Sequence, residues 1–193
     1  MNSFNKTITE SIYGIELLFE TSSACFSPDG IDKGTLAMLS VVDFSVEDKV
    51  LDLGCGYGIV GIYIAKLIGE RNVVMSDNDE LCVDLSIKNA LLNGVSGVKV
   101  VLSDGFKNID DNDFSLILSN PPYHSDFSVA KHFIEKGFNR LRIGGKMFMV
   151  TKRKDWYKNK FISIFGGVKI HEKDGYYIFE AEKRDFKYYK SKS

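Results

Sequence analysis

The sequence predicts an α/β protein with a doubly wound, mostly parallel sheet of seven strands and helices on both faces. The first reason is that short apolar runs of β character alternate with helical patterns from residue 49 onward. The second is that two strands follow each other at the end, which predicts one antiparallel strand near the C-terminus, at the far edge of the sheet. The third is the length of 193 residues, which suits one α/β domain.

Glycine, proline, asparagine and aspartate divide the chain into segments. Each predicted strand is a short apolar run that ends at a polar or glycine-containing turn. The predicted strands are 49–53, 73–76, 98–102, 114–118, 146–150, 168–171 and 176–182. Apolar residues at helical spacing, with glycine or asparagine as stops, predict five helices. The predicted helices are 31–44, 59–68, 80–92, 129–141 and 155–165.

Three segments differ in composition. Residues 1–30 are polar with scattered aromatic side chains, so we expect an N-terminal extension packed on the core. A strand or short hairpin arm is predicted at 12–19, before the turn sequence FSPDG at 26–30. Residues 31–185 form the predicted α/β domain, and residues 186–193 form a basic tail.

The bulk composition excludes several classes of protein. No apolar run approaches the ~20 residues that a membrane span needs. The first ten residues lack the basic start and apolar centre of a signal peptide, so we expect a cytoplasmic protein. The three cysteines, Cys25, Cys55 and Cys82, form no C-x-x-C pair, which predicts reduced thiols.

The charge is unevenly distributed along the chain. Residues 1–145 contain 12 Lys and Arg against 20 Asp and Glu, a net charge of −8, whereas residues 146–193 contain 13 against 6, a net charge of +7. Within the basic part, Lys152-Arg153-Lys154 lies close to Trp156 and Tyr157, a combination that suits RNA. A solvated helix start and a tail explain the same pattern about equally well.

The first predicted strand runs directly into a glycine-rich turn. Residues 56–61 match G-x-G-x-x-G, which presents backbone N–H groups and a helix N-terminus to a ligand. The match alone is weak, because it suits a nicotinamide enzyme equally well and a tight turn without a ligand would also produce it. Asp52 lies inside the apolar strand, where a carboxylate is costly unless it accepts from a ligand ammonium or nearby N–H groups.

Two more acids end the next two predicted strands. Asp77 follows Gly54 by 23 residues, where an acid can accept from both ribose hydroxyls of an adenosine. Asp79 competes with Asp77 to cap the following helix, which favours a ligand role for Asp77. Asp104 is expected to accept from an adenine amino group with Phe106 flanking the ring, although a turn aspartate explains it as well.

The fourth predicted strand runs into Asn120-Pro121-Pro122-Tyr123. A double proline ends strand pairing, because proline has no N–H to donate and fixes its own φ. The result is a stiff loop at the carboxyl end of a strand, which is where open α/β sheets bind ligands. The loop presents an amide and an aromatic ring, so we expect it to hold a flat, amine-bearing substrate.

Together these motifs resemble a known family. LDLGCGYG, SDND, SDGF and SNPPY, in this order, resemble the class I S-adenosylmethionine-dependent methyltransferases that modify exocyclic or amide nitrogens. FSPDGIDKGT at 26–35 and the ending Gly175-Tyr176-Tyr177 are similar to the methyltransferase small domain family, which includes guanine-N2 methyltransferases of ribosomal RNA. The resemblance covers residues 16–184. It implies a Rossmann-like methyltransferase fold, S-adenosylmethionine as cofactor and an RNA base, with rRNA guanine N2 favoured, as acceptor.

The resemblance also implies roles for individual residues. It assigns to the cofactor a set of acids, glycines and neighbouring residues at successive strand ends. They are Asp52, Gly54, Gly56 and Gly58 for the methionine part, Asp77 for ribose, and Asn78, Asp104, Gly105 and Phe106 for adenine, with Asn120 at the border. The implied catalytic residues are Asn120, Pro121 and Tyr123, of which Asn120 and the Pro121 carbonyl hold the amine. Tyr123 stacks on the substrate ring, and Pro122 and His124 complete the substrate loop.

Other interpretations remain open at this point. The same chemistry on RNA adenine or on a protein glutamine amide is the first alternative, because NPPY occurs with those acceptors too. A nicotinamide oxidoreductase and a non-catalytic binding module are less favoured. His132 and His171 show no metal-ligand spacing, so no metal is expected, and a monomer is favoured.

Overall fold

A computed structural model of the chain describes residues 5–121 and 127–188. Its first two strands, β1 (Asn5–Ile12) and β2 (Ile15–Ser22), form a separate hairpin. The strands of the main sheet are β3 (Val50–Leu53), β4 (Val73–Asp77), β5 (Lys99–Leu102), β6 (Phe114–Ser119), β7 (Leu141–Thr151), β8 (Lys169–Lys173) and β9 (Tyr176–Glu182). Their order across the sheet is β5-β4-β3-β6-β7-β9-β8. The predicted seven-stranded α/β sheet is therefore confirmed.

The antiparallel strand of this sheet is β9. It pairs antiparallel with β7 on one side and with β8 on the other, whereas the remaining sheet pairs are parallel. The prediction that it lies at the far edge is wrong, because β8 takes the edge. The burial of the two strands explains the order: β9 is mostly buried, whereas β8 is half-buried or exposed along its length. β9, the more apolar strand, therefore lies between two neighbouring strands, and β8 lies at the edge of the sheet.

Five α-helices connect the strands in the part of the chain that the structure describes. They are α1 (Lys33–Leu39), α2 (Ile59–Ile68), α3 (Glu80–Leu92), α4 (Phe127–Arg140) and α5 (Asp155–Phe165). α2, α3 and α5 have the predicted bounds, and glycines directly follow α2 and α5. α1 is shorter than predicted: Ser40 is its C-cap, its hydroxyl donates to the Ala37 carbonyl, and the chain leaves the helix before the β-branched pair Val41-Val42.

Helices cover both faces of the sheet. One apolar cluster joins α1, α2 and α3 to one face, and the other joins α4 and α5 to the opposite face. Neighbouring strand residues alternate between the clusters: Val50 belongs to the first and Leu51 to the second. α2 approaches the sheet closely at Gly61, where an added Cβ would lie 2.3 Å from Met75. The third glycine of G-x-G-x-x-G thus serves helix–strand packing.

The N-terminal hairpin packs on the face that α3 also covers. Ile12 pairs with Ile15 across Tyr13 and Gly14, whose φ values of 47° and 85° make a two-residue hairpin turn. The predicted strand at 12–19 is therefore wrong in its bounds, because it spans this turn. The side chains of Asn89 on α3 and of Asn93, the C-cap of α3, bind the N–H and C=O groups of β2 at Glu20 and Leu18, with distances of 2.7–2.9 Å.

β7 is longer than predicted, because Gly144-Gly145 lies inside it. The Gly144 N–H donates to the Lys183 carbonyl and the Lys183 N–H donates to the Gly145 carbonyl, both at 2.8 Å, so pairing continues through the two glycines. The domain boundaries at residues 30 and 185 stay a prediction. Among the residues that the structure describes, no helix is both long and apolar enough to cross a bilayer.

Candidate active site

A cavity of about 430 Å³ opens at the carboxyl ends of β3, β4, β5 and β6. This volume lies in the range of small-molecule sites, roughly 300–1,000 Å³. Most of the residues predicted for the cofactor line it, although they come from four different strand ends. They are Asp52, Gly54, Gly56, Asp77, Asn78, Asp104, Gly105 and Asn120. The fold therefore brings together residues that are spread over 69 positions of the chain.

The glycine turn forms the floor of this cavity. Gly54, Gly56 and Gly58 all have positive φ, at 77°, 56° and 97°, which side-chain-bearing residues rarely adopt. The turn is held to the next strand, because the N–H groups of Gly54 and Cys55 both donate to the Ser76 carbonyl, at 2.8 and 2.9 Å. An added Cβ at Gly56 would meet no described heavy atom within 4 Å, so there is room for a ligand above the turn.

Gly58 has a different position from Gly54 and Gly56. It caps the N-terminus of α2, and a Cβ there would approach Ile62 and Ser86 at 3.0 and 3.1 Å. It is absent from the described lining of the cavity. Its contribution to the site is therefore the conformation of the turn, whereas contact with a ligand stays a prediction.

Asp77 is tied to the glycine turn. Its carboxylate accepts from the Gly56 N–H at 2.8 Å and from the Asp79 N–H at 3.1 Å. Asp79 caps α3 by accepting from the Leu81 N–H, so the cap is supplied by Asp79 as expected. Burial raises the pKa of Asp77, and the N–H groups that it accepts from oppose this shift. Asp77 is thus a partly desolvated acceptor at the cavity wall.

Asp52 is buried beneath the turn, with 3% of its surface exposed. It accepts from the Gly61 N–H at 2.9 Å, which supplies one of the donors that its burial requires. Burial raises its pKa to about 7, and the nearby Asp77 charge adds to the shift. A cationic ligand group above the turn would favour the ionised form.

The third acid is placed as expected, but its neighbouring aromatic ring is not. Asp104 and Gly105 line the cavity, whereas Phe106 is 4% exposed and belongs to the apolar cluster beneath α4 and α5. Aromatic residues that do line the cavity are Phe26, Tyr57 and Phe133, of which Phe133 of α4 packs edge-on against Phe106 at 6.4 Å. The expectation for Phe106 fails because the chain after Gly105 turns inward and buries that ring.

Asn120 lies at the carboxyl end of β6 and its side chain is firmly held. Its amide nitrogen donates to Asp32 Oδ2 at 3.0 Å and to Thr35 Oγ1 at 2.9 Å. Because a carboxylate only accepts hydrogen bonds, the amide group must turn its NH₂ toward Asp32. Oδ1 then points to the other side of the amide group, and the residue borders the cavity. Pro121 is buried and lines the cavity beside it.

Asp32 and Thr35 are site residues that the sequence reasoning did not assign. Asp32 is the N-cap of α1, accepting from the N–H groups of Gly34 and Thr35, and its other oxygen accepts from the Tyr176 hydroxyl at 3.3 Å. Asp32 and Thr35 both lie in FSPDGIDKGT, a sequence that carries the family resemblance but by itself predicts no site residue. The Tyr57 hydroxyl helps to hold this loop at the glycine turn by donating to the Ser27 carbonyl at 3.0 Å.

Three predicted substrate residues, Pro122, Tyr123 and His124, lie outside the described residues. Of the other histidines, His132 is exposed on α4, and His171 contacts Glu180 at 2.8 Å. In the described part of the chain no group of three metal-binding side chains is close enough to hold an ion.

Comparison with known proteins identifies the family. The family model of the methyltransferase small domain matches residues 16–180. The chain belongs to this family. The same similarity extends to the protein YbxB of Bacillus subtilis, which is 34% identical over 174 residues and is matched over 87% of both chains.

Two further members have more specific names. The ribosomal RNA small subunit methyltransferase C of Serratia proteamaculans is 30% identical over 86% of this chain and 49% of its own. A solved 16S rRNA N2 methyltransferase of T. thermophilus, in complex with AdoMet and guanosine, is 27% identical with a TM-score of 0.85, over 95% of this chain and 52% of that one. The chain thus spans about half the length of these two family members.

Proposed function

We propose that this member of the methyltransferase small domain family transfers a methyl group from S-adenosylmethionine to an exocyclic amine of an RNA base, with guanine N2 of ribosomal RNA favoured. The observation that carries the proposal is the Asn120 amide, which Asp32 and Thr35 hold at the rim of a cavity floored by the glycine turn. The names of the family members from Serratia proteamaculans and T. thermophilus support ribosomal RNA as the acceptor.

The residues present fit S-adenosylmethionine. The open space above Gly56 suits the methionine part, and Asp52 below the turn complements its ammonium group. Asp77, at the cavity wall, would accept from the ribose hydroxyls, and Asp104 would accept from the adenine amino group. Phe133 supplies the aromatic ring for which Phe106 was predicted.

When bound, the cofactor supplies an electrophilic methyl group on a sulfonium. The difficulty lies in the acceptor, because the lone pair of an aryl amine is delocalised into its ring. Asn120 Oδ1 and the Pro121 carbonyl would each accept an N–H of the amine, direct its lone pair toward the cavity and stabilise the positive charge that develops on nitrogen. Positioning contributes much of the remaining rate. A strong general base is not needed, since the methylated ammonium is itself acidic.

Asp32 acts through Asn120 and not on the substrate. Asp32 accepts a hydrogen bond from the amide NH₂ of Asn120. This contact keeps the NH₂ turned away from the substrate, so that Oδ1 of Asn120 faces the position where the amine needs an acceptor. Tyr176 and the N-terminal N–H groups of α1 in turn hold Asp32. Asp32 is therefore a positioning residue. Tyr123 remains the predicted stacking platform for a base that leaves its stack, where stacking contributes ~1–3 kcal/mol.

The experiment that tests the proposal is transfer of a tritiated methyl group from S-adenosylmethionine. The acceptors offered are stripped small ribosomal subunits, naked rRNA, tRNA and release factors from a deletion strain. Label at guanine N2 of rRNA is expected. Label at RNA adenine would move the proposal to that base, and label in protein alone would refute the RNA acceptor. Binding of NADH in place of S-adenosylmethionine would refute the methyltransferase activity itself.

The remaining expectations belong to the same proposal. We place the protein in the cytoplasm as a monomer, with RNA as substrate and with no metal. Sedimentation of the purified protein with and without RNA would measure the oligomeric state.

A further inference from the structure

The carboxyl edge of the sheet is divided by charge. On the β5-β4-β3 side it carries the acids of the cofactor cavity, including Asp52, Asp77 and Asp104. On the β7-β9-β8 side it carries bases: Lys152-Arg153-Lys154 follows β7, and Lys173 ends β8, which runs parallel to β7. These four residues, here called the basic edge, are all exposed. Asn120, at the end of β6, lies between the two halves.

Three of the four cations of the basic edge lie on aromatic rings, whereas Lys173 Nζ donates to the Ser40 hydroxyl at 2.9 Å. Lys152 Nζ lies 5.0 Å from the centre of the Tyr176 ring, and Lys154 Nζ lies 4.9 Å from that of Tyr177. The Arg153 guanidinium lies 4.9 Å from the Phe127 ring. The rings limit where the cations can lie and hold them at the protein surface without neutralising them. Exposed cations that are held in this way are suited to bind the phosphates of a nucleic acid.

Aromatic stacking continues beneath Arg153. Phe127 stacks on Trp156 with their ring centres 4.4 Å apart and their planes inclined by 22°. Phe127 begins α4, and Trp156 lies in the first turn of α5, so two helix starts meet under one guanidinium. The Arg153 guanidinium is therefore positioned by a stacked pair of rings from two helices. A run of solvated charges would not require such packing.

The basic edge is connected to the acceptor residue by direct contacts. Lys152 lies over the Tyr176 ring, the Tyr176 hydroxyl donates to Asp32, and Asp32 accepts from Asn120. Two residues, Tyr176 and Asp32, therefore connect Lys152 to the Asn120 amide that would hold the target amine.

The ion pair between Lys154 of the basic edge and Glu172 is solvent-exposed. Glu172 pairs with Lys154 at 3.6 Å, with both side chains well exposed, and Asp155 and Asp174 are exposed nearby in sequence. Exposed pairs of this kind are weak and are readily exchanged for a phosphate. The acids of the cofactor half would repel a polyanion, so the charges of the two halves together favour one placement of the strand.

We propose that the basic edge, Lys152, Arg153, Lys154 and Lys173, binds the phosphates of the RNA strand that flanks the target base. The proposal rests on the proposed function, since it names where the RNA of that reaction lies. The strand crosses the ends of β7, β9 and β8, and the cofactor occupies the ends of β3, β4 and β5.

The test compares paired alanine variants by fluorescence anisotropy of a labelled single-stranded rRNA fragment between 50 and 300 mM salt. The first pair is Lys152→Ala with Arg153→Ala, and the second is Lys154→Ala with Lys173→Ala, which leaves the contacts from Tyr176 to Asn120 intact. The control pair is Lys49→Ala with Lys66→Ala. It removes the same charge at the amino edge, because Lys49 precedes β3 and Lys66 lies in the last turn of α2.

Each edge pair is expected to weaken RNA binding about tenfold or more at 150 mM salt. For single strands each phosphate contact contributes about 0.7 to the slope of log affinity against log salt, so each pair should reduce the slope by about 1.4. S-adenosylmethionine affinity, measured by calorimetry, should not change. The control pair should match the wild-type protein in both measurements.

The outcomes separate this inference from the proposed function. If the wild-type protein methylates RNA and the edge pairs bind RNA as it does, the basic edge is wrong and the function stands. If the edge pairs alone lose RNA binding but the wild-type protein transfers no methyl group, the basic edge is an RNA-binding surface and the proposed methyl transfer is wrong. No RNA binding by the wild-type protein, or an equal loss in the control pair, would overturn the edge. Label in protein without RNA binding would overturn both.

Discussion

The two halves of the carboxyl edge are built in different ways. In the cofactor half, the hydrogen bonds that hold the site join residues close in sequence: Gly61 to Asp52 across nine positions and Gly56 to Asp77 across 21. In the acceptor half they join distant residues: Asn120 to Asp32 across 88 positions and Tyr176 to Asp32 across 144. The contacts cited for the cofactor half thus lie within β3, the glycine turn, α2 and β4, which follow one another in the chain, whereas those of the acceptor half join α1, β6 and β9, which are far apart in the chain.

This difference has a consequence for function. The cofactor half can be described by motifs, and it uses small residues and acids whose backbone contacts are short and local. The acceptor half depends on α1, β6 and β9 meeting at one point, so the chemistry of Asn120 depends on three separate elements. Substitutions in the cofactor half should change cofactor affinity, and substitutions in the acceptor half should change turnover.

The largest expected effect is that of Asn120→Ala. Removing the amide should lower kcat by about 10²–10³-fold or more, because an oriented group that stabilises developing charge is lost. The dissociation constant of S-adenosylmethionine should stay within about threefold of the wild-type value. Calorimetry and tritiated-methyl transfer measure the two quantities, and turnover equal to that of the wild-type protein would remove Asn120 from the mechanism.

The second largest effect is expected at Asp77, in the cofactor half of the carboxyl edge. Asp77→Ala should weaken S-adenosylmethionine binding about 10- to 100-fold, since hydrogen bonds to a charged group contribute roughly 1.5–3 kcal/mol. At saturating cofactor, kcat should fall much less than in Asn120→Ala. Asp77→Asn is the matched variant, because its amide oxygen can still accept from the Gly56 N–H. Unchanged affinity in Asp77→Ala would contradict the cavity as described.

A smaller effect is expected at Asp32, where helix capping and positioning coincide. Asp32→Ser keeps a good N-cap for α1 but is too short to reach Asn120, so kcat should fall about tenfold while cofactor affinity stays constant. Asp32→Ala loses both functions and should also lower the melting temperature. If Asp32→Ser were as active as the wild-type protein, the contact with Asn120 would have only a structural role.

The smallest effect concerns the pH dependence of stability. Because burial raises the pKa of Asp52 from 3.8 to about 7, the folded cofactor-free protein binds this proton more tightly than the unfolded chain between these values. The contribution of Asp52 to the free energy of unfolding is therefore largest at low pH and is lost as the pH rises from about 4 to 7. Urea unfolding at several pH values should show a flatter profile for Asp52→Asn over this range. Identical profiles would mean that Asp52 titrates normally.

Cofactor affinity should follow the same titration with the opposite sign. A cationic group above the turn binds the ionised carboxylate better, so wild-type affinity for S-adenosylmethionine should rise with pH toward and just above 7. The rise should be absent in Asp52→Asn. Calorimetry in buffers of different ionisation enthalpy would also detect the proton that Asp52 releases on binding.

Much of the fold was determined by the sequence alone. The strand and helix alternation, the bounds of α2, α3 and α5, and the glycine turn followed from periodicity and from glycine and asparagine stops, which act within a few residues. The same local logic placed Asp77 and Asp104 at strand ends, because carboxyl ends of parallel strands meet at one edge. The sequence left Asp77 and Asp79 as competing caps of α3, and the structure shows that Asp79 is the cap.

Only the tertiary structure decided the rest. Three features depend on contacts between residues far apart in the chain. They are the position of β9 between β7 and the edge strand β8, the burial of Phe106 while Phe133 lines the cavity, and the hydrogen bond from Asn120 to Asp32. A local sequence pattern does not indicate which distant side chain packs against a given residue. The cofactor half was therefore visible in the sequence, whereas the acceptor half became visible only when β6, β9 and α1 were brought together.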